Sequence, residues 1–212
     1  LPQRMVYNYV DGNPSYSFQG GDAIYEDVNH DGQINALDVV YLGNCLPKLS
    51  GGFNISFDYG RWNLKARFMY RYGNKVINQA RMTLESMSTA YNQASSVNWR
   101  WRKDGDETLM PRAIYVYNDN SAYNYQGSSR YVEDGSFLRF QNLQVGYNFD
   151  PKELKKYGLN RLQFYVTANN LFCWTRYSGV DPEISIGGWG QAIDKSQTPR
   201  AKSFTANINI GF

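Results

Sequence analysis

Polar and apolar residues alternate with a period of two over five stretches of the chain, and each such stretch predicts a β-strand. From Phe53 to Tyr59 the alternation is strict, with Phe53, Ile55, Phe57 and Tyr59 on one face and Asn54, Ser56 and Asp58 on the other. A very short turn at 59–61 leads into Trp62, Leu64, Ala66, Phe68, Tyr70 and Tyr72, opposite Asn63, Lys65, Arg67, Met69 and Arg71. Two long runs with so short a link predict a β-hairpin. Further on, Leu143, Val145, Tyr147 and Phe149 alternate with Asn142, Gln144, Gly146 and Asn148, while Leu138 and Phe140 sit on the other parity. The change of parity predicts a bulge near Gln141. Leu162, Phe164, Val166 and Ala168 then oppose Gln163, Tyr165, Thr167 and Asn169, with Phe172 and Trp174 extending the apolar face. In the last run Phe204, Ala206, Ile208, Ile210 and Phe212 oppose Ser203, Thr205, Asn207, Asn209 and Gly211. The expected strands are 48–59, 61–73, 137–149, 161–174 and 202–212.

Between these runs the signals are local. Asp150-Pro151 opens a short capped helix that Gly158 ends. Residues 74–136 have no sustained period, and local helix is expected around Val76 to Met87. In the same segment Trp99-Arg100-Trp101-Arg102 either stacks on a ligand through cation–π contacts or packs the loop against its neighbours. Near the start, Met5 to Val10 reads as a strand, Asp11-Gly12-Asn13-Pro14 and Gly20-Gly21 as turns, and Leu37 to Leu42 as a helical turn.

The two strand faces set the environment. Lys65, Arg67 and Arg71 share one face, and a closed apolar core does not tolerate three unpaired cations. Aromatic residues make up 16% of the 212 residues, 18 of them tyrosine, yet mean hydropathy is −0.59. That combination suits strands with one face to an apolar phase and the other to water, as in outer-membrane barrels. The expected class is all-β: the C-terminal strands of a large transmembrane antiparallel β-barrel with long extracellular loops. Connections alternate long (11–47), short (59–61), long (74–136), short (150–160) and long (176–200), matching the outer loops and periplasmic turns of such barrels. On this reading Lys65, Arg67, Arg71, Gln163, Thr167 and Asn169 face the lumen and its substrate, and Phe204, Ile208, Ile210 and Phe212 serve membrane contact and assembly. A net charge of +3 gives no case for a nucleic-acid partner. No run of 18 apolar residues is present, which excludes a spanning helix but not a barrel. The opening Leu1-Pro2-Gln3-Arg4 lacks the pattern of an initiator or a signal peptide, so a mature or interior piece of a longer protein is expected.

One stretch carries candidate metal chemistry. Asp27, Asn29, Asp31, Gln33, Asn35 and Asp38 occupy positions 1, 3, 5, 7, 9 and 12 of an EF-hand-like loop, with Gly32 at the sharp turn and Ile34 as apolar anchor. Asp38 replaces the usual bidentate glutamate. A structural Ca²⁺ is one reading; a metal-free loop held by Asx turns is the other. The loop through Val40 is also similar to a dockerin repeat, which gives the alternative function of a calcium-dependent protein-binding module. Dockerins use two such repeats and only one is present here. A carbohydrate-binding β-sandwich is a third alternative, opposed by the long unpatterned segment. No enzyme is expected: the single histidine, His30, reads as a solvated loop residue, and Asp181 and Glu183 as residues that order their own loop. Cys45 and Cys173 carry no spacing signal, and a disulfide between them is only one alternative.

Five motifs, taken in order, resemble a known family. They are Gly21-Asp22-Ala23-Ile24-Tyr25-Glu26-Asp27-Val28-Asn29-His30-Asp31-Gly32, then Leu42-Gly43-Asn44 with Pro47, then Arg130-Tyr131-Val132-Glu133-Asp134-Gly135-Ser136-Phe137-Leu138-Arg139, then Asn169-Asn170-Leu171-Phe172, and Tyr177-Ser178-Gly179-Val180-Asp181-Pro182-Glu183. Together they look like the late barrel region of SusC/RagA-type TonB-dependent outer-membrane transporters of Bacteroidota. The resemblance implies a barrel of about 22 strands, a plug domain N-terminal to it, and a SusD-like surface lipoprotein partner. It also implies energy delivered by the TonB complex through the part of the protein missing here, and import of a glycan or peptide substrate. This chain would supply the last five or so strands, and these alone, with two open edges, are not expected to close or transport.

Overall fold

A computed structural model describes residues 6–7, 16–88, 90–114, 123–185 and 192–212. In chain order the strands and helices are β1 (Val6–Tyr7), β2 (Tyr16–Ser17), β3 (Gln33–Ile34), β4 (Leu49–Tyr59), β5 (Trp62–Tyr72), β6 (Lys75–Asn78) and α1 (Gln79–Glu85). They continue with β7 (Val132–Asp134), β8 (Phe137–Asn148), α2 (Pro151–Leu154), β9 (Arg161–Thr175), β10 (Ile193–Asp194) and β11 (Ser203–Gly211). The chain divides into two compact units: Leu1–Gly43 with Asn78–Val132, and Asn44–Ile77 with Glu133–Phe212. Among the described residues no helix is long and apolar enough to cross a membrane.

The second unit is built on a five-stranded antiparallel sheet in the order β11-β9-β8-β5-β4. Its register stacks like with like. Leu64, Val145, Val166 and Ala206 form one row across four strands, and Trp62, Tyr147, Phe164 and Ile208 another. On the reverse side Lys65, Gln144, Thr167 and Thr205 stand in line. Cross-strand pairs of this kind are what hold a sheet together beyond its backbone ladder. Phe53, Phe68 and Phe140 stack successively, with ring centroids 4.8 and 4.7 Å apart.

The register shifts between Phe140 and Asn142, where the change of parity in the sequence predicts a bulge. The partner strand accommodates it at Asn170, whose φ of 53° lies in the left-handed region that asparagine tolerates better than most residues. Its side-chain amide donates to the Ala201 carbonyl at 2.9 Å, which fixes the kink. The Asn-Asn-Leu-Phe motif is therefore a bulge signature. At the other end of the sheet, Asp150 caps α2 by accepting from the Lys152 N–H at 2.8 Å, with Pro151 in the first turn.

In the segment 74–136 the helix expected around Val76 to Met87 forms over Gln79–Glu85, with a later start. Val76 and Ile77 are β-branched and extend as β6, and the helix starts only after Asn78, whose side chain accepts from the Arg81 N–H at 2.9 Å. Leu37 to Leu42 likewise forms only a 3₁₀ turn over Ala36–Asp38. The turn expected at 11–14 lies outside the described residues, as do most of Met5 to Val10 around β1.

Each unit has its own small core. In the first, Met87, Val97, Met110, Tyr125 and Tyr131 are buried together with Met82 packed against them. Burial pushes the Tyr131 hydroxyl above the usual phenol range. Beside this core the buried Glu85 accepts from Arg81 at 3.0 Å, Arg130 at 3.2 Å and Ser96 at 3.2 Å. In the second unit Val76, Tyr177, Ile184 and Ala192 cluster, with Cys45 against them. Cys45 and Cys173 are not bridged. The Tyr177 hydroxyl donates to Asp194 at 2.6 Å, and burial together with that acceptor raises its pKa.

Gly135 explains part of the Glu-Asp-Gly-Ser motif. A Cβ there would lie 2.4 Å from the buried Asn74 amide and 2.6 Å from Val76 Cγ2, while its N–H donates to the Asn74 carbonyl at 2.9 Å. Gly135→Ala is expected to cost about 1–3 kcal/mol through overpacking. Chemical unfolding of the intact protein would read the loss, and a variant as stable as the parent would contradict this account.

Candidate functional site

Among the described residues nothing packs on the apolar face of the five-stranded sheet. Phe57 is 62% exposed, Trp62 55%, Phe204 71% and Ile208 63%. Ile210 and Phe212 are exposed as well. So many large apolar side chains on one continuous face exceed what a water-facing surface carries and mark contact with an apolar phase or partner.

The opposite face is a polar ladder. The Asn142 amide donates to Asn169 at 2.8 Å, and the Asn169 amide donates to the Ser203 hydroxyl at 3.0 Å. Lys65 and Arg67 lie on the same face of β5, and Arg67 Nε donates to Asn54 at 3.2 Å. Thr167 stands between Gln144 and Thr205. Gln163 is at the short-turn end, where it donates to Asn148 at 2.7 Å and accepts from Arg161 at 2.5 Å. Arg71 is engaged elsewhere: it donates to the Ile184 carbonyl at 3.3 Å and lies over the Phe137 ring at 5.7 Å. Lys65, Arg67, Thr167 and Asn169 thus come together, whereas Arg71 and Gln163 belong to opposite ends of the sheet.

At the long-loop end sits a network that sequence reasoning missed. Arg139, buried on β8, pairs with Asp181 at 2.5 Å and lies 3.4 Å from Glu183, which also pairs with Arg200 at 2.6 Å. The Glu183 contact is an ion pair without hydrogen-bond geometry, which leaves Arg139 Nε without a hydrogen-bond acceptor. Asp181 also accepts from the Glu183 N–H at 2.9 Å and Ser178 is held by Glu133 at 2.8 Å. The Asp-Pro-Glu carboxylates therefore order their loop, by pairing with an arginine 42 residues earlier. The one signal available in the sequence was Arg139 standing on the polar parity of a strand next to a bulge.

In the first unit the acidic loop closes on itself. Asp27 accepts from the Asp31 N–H at 3.2 Å and the Gly32 N–H at 2.8 Å, and Asn29 from the Asp31 N–H at 3.1 Å. Asp31 accepts from the Gln33 N–H at 2.8 Å. Asp38 ties the two ends, accepting from Val28 at 2.9 Å and Asn35 at 2.7 Å, and Asn35 caps the 3₁₀ turn through Leu37. His30 is exposed at φ 60°. The donors are oxygens of the kind calcium takes, but among the described residues no three His, Cys, Asp or Glu side chains converge as a metal-binding group. The Trp/Arg cluster divides: Trp101 lies against Gly20 and Gly21, its ring 2.2 Å from where a Gly21 Cβ would stand, while Trp99 is 78% exposed. Arg100 and Arg102 donate back to the Val97 and Asn98 carbonyls.

An antiparallel sheet with one exposed apolar face and one polar face is of the kind that walls a membrane β-barrel. Comparison with known proteins agrees. The chain is 32% identical over 202 residues to TonB-dependent receptor P39 of Formosa agariphila, covering 92% of this chain and 19% of that protein. It is 31% identical over 86 residues to TonB-dependent receptor SusC of Bacteroides thetaiotaomicron, covering 40% of this chain and 8% of that protein. The structure of the RagAB peptide transporter matches with a TM-score of 0.68 at 27% identity, covering 80% of this chain and 18% of that one. No family model matches. The chain is a SusC/RagA-type segment of a TonB-dependent receptor, all-β in fold. It spans about a fifth of the length of the Formosa relatives it matches. These relatives are named as receptors and importers rather than as enzymes.

Proposed function

We propose that this chain forms the C-terminal part of the barrel wall of an outer-membrane active transporter, which imports glycans or peptides with a SusD-like lipoprotein and draws energy through TonB. The observation that carries the reading is the exposed apolar face from Phe57 and Trp62 to Phe204 and Ile208, backed by a polar face with Lys65 and Arg67. In a barrel the first meets lipid and the second the lumen. The edges at β4 and β11 then pair with the remaining strands, and the plug and TonB contact come from the rest of the protein. The test is uptake of labelled oligosaccharides and oligopeptides by cells carrying the full receptor. Uptake that requires both the receptor and an intact proton gradient is expected; uptake unaffected by deleting the receptor gene would sink the proposal.

The dockerin-like alternative gains no support from the geometry. The acidic loop, Asp27–Asp38, contains β3 and ends in a 3₁₀ turn over Ala36–Asp38, and among the described residues no α-helix flanks it as in a helix–loop–helix module. Calcium at the loop is a separate proposal. The ligands would be Asp27, Asn29, Asp31, the Gln33 carbonyl, Asn35 and Asp38, and each carboxylate oxygen keeps a lone pair beyond its backbone contacts. Drawing these oxygens inward costs Asx-turn hydrogen bonds, so weak binding of roughly 10⁻⁴–10⁻³ M is expected. Calorimetry of the full receptor should show calcium binding in that range, lost on Asp31→Ala. No heat with the parent protein would leave a purely hydrogen-bonded loop.

A further inference from the structure

The polar face holds a groove of about 460 Å³ with an unbalanced charge. Asn54, Ser56, Lys65, Arg67, Asn142 and Gln144 are among the residues that line it, and no carboxylate does. Lys65 and Arg67 are both exposed, two residues apart on β5, and neither forms an ion pair among the described residues. The contact with Asn54 uses Arg67 Nε, and among the described residues the two terminal nitrogens of the guanidinium have no hydrogen-bond partner. Asp58, the acid on the same hairpin face, stands opposite Asn63, a row nearer the short turn than Lys65. The acids at the long-loop end, Asp181 and Glu183, are already paired with Arg139 and Arg200. Among the described residues two cations therefore face a set of amides and hydroxyls with no carboxylate paired to either. The amides are themselves oriented by the Asn142–Asn169–Ser203 chain of hydrogen bonds, so the site is organised before any ligand arrives.

We infer that this groove binds a carboxylate group of an oligomer entering the lumen, with the Arg67 fork as the two-point contact and Lys65 as the second charge. The inference rests on the importer reading and deepens it by naming the chemistry of the cargo. A planar carboxylate matches the paired N–H groups of a guanidinium, and a nearby ammonium adds attraction without demanding a fixed geometry. Amide and hydroxyl rows beside the charges suit the neutral remainder of either a peptide or a sugar chain. The carboxylate can come from an acidic peptide or from a uronic-acid glycan, and the two are separable by probe.

The experiment measures equilibrium binding of fluorescent hexaglutamate, hexaglutamine, trigalacturonate and galactotriose to the intact receptor purified in detergent, at low and high salt. At least one acidic probe is expected to bind about 10-fold tighter than its neutral counterpart, an advantage that high salt erodes. Which acidic probe gains identifies the source of the carboxylate. Arg67→Gln and Lys65→Gln should each weaken that probe about 10-fold and leave the neutral ones unchanged, with Arg67→Lys intermediate. Gln144→Glu, which puts a negative charge beside Lys65 in place of a groove amide, should weaken it as well. Equal affinity for acidic and neutral probes, or an acidic preference that survives both glutamine variants, overturns the inference. Import without any charge preference would remove this inference alone. Acidic binding at the groove without import would remove the transporter reading instead.

Discussion

Replacing Arg139 with leucine is expected to destabilise the folded receptor by about 3–5 kcal/mol, because it strands buried carboxylates without a counter-charge. Asp181 and Glu183 have side chains only 12% and 14% exposed, so water cannot take over the role of the guanidinium. Arg200 remains for Glu183, which makes Asp181 the residue left in deficit. The measurement is denaturant unfolding of the full receptor in vesicles, followed by tryptophan fluorescence, with protease sensitivity of residues 176–200 as a local readout. A triple variant, Arg139→Leu with Asp181→Asn and Glu183→Gln, should recover part of the loss, since the stranded charges go too. A single variant within 1 kcal/mol of the parent, on the scale set for exposed pairs, would show that the network is solvated in the assembled barrel.

The second large effect separates the two faces of the sheet. Val145 and Gln144 are neighbours on β8, one in the apolar row with Leu64 and Val166, the other in the polar row with Lys65 and Thr167. Val145→Arg is expected to cost about 2–4 kcal/mol if the residue lies near the bilayer midplane, because an arginine there must be drawn from water into hydrocarbon. Gln144→Arg puts the same side chain one residue away on the polar face and should cost at most about 1 kcal/mol, as surface changes do. Refolding into vesicles and receptor abundance in the outer-membrane fraction both report the difference. Equal tolerance of the two substitutions would remove the lipid-facing assignment.

Much of this architecture was legible because a period of two is a strong signal when both faces have an identity. Phe137 to Phe149 even disclosed the bulge, since Leu138 and Phe140 could share a face with Leu143 only if one residue were skipped. What alternation could not show was pairing over distance. Glu85 with Arg130, and Asp22 with Arg112 at 2.6 Å, join residues 45 and 90 positions apart, and no local pattern announces them. The helix expected around Val76 to Met87 forms over Gln79–Glu85 and starts late for a local reason: two β-branched residues precede the Asn78 cap, and extension suits them better than the start of a helix. The site was legible only in part. Lys65, Arg67, Thr167 and Asn169 could be placed on one face by parity, but parity cannot say that a loop reaches back to occupy Arg71.

Strands β5 and β8 are hydrogen-bonded neighbours, yet residues 73–136 lie between them in the chain. The entropy lost by closing such an excursion grows only with the logarithm of its length, so a doubling costs about 0.6 kcal/mol. Once the first closure has been met, lengthening or shortening the part between β6 and β7 costs the sheet little, while Asn74, Val76 and Gly135 stay tied to the second unit. The hydrogen-bonded wall and the segment inserted into it can therefore diverge at different rates. One stable frame can carry successive versions of an inserted unit, each with its own contacts, while the Arg139 network and the bulge at Asn170 stay as they are.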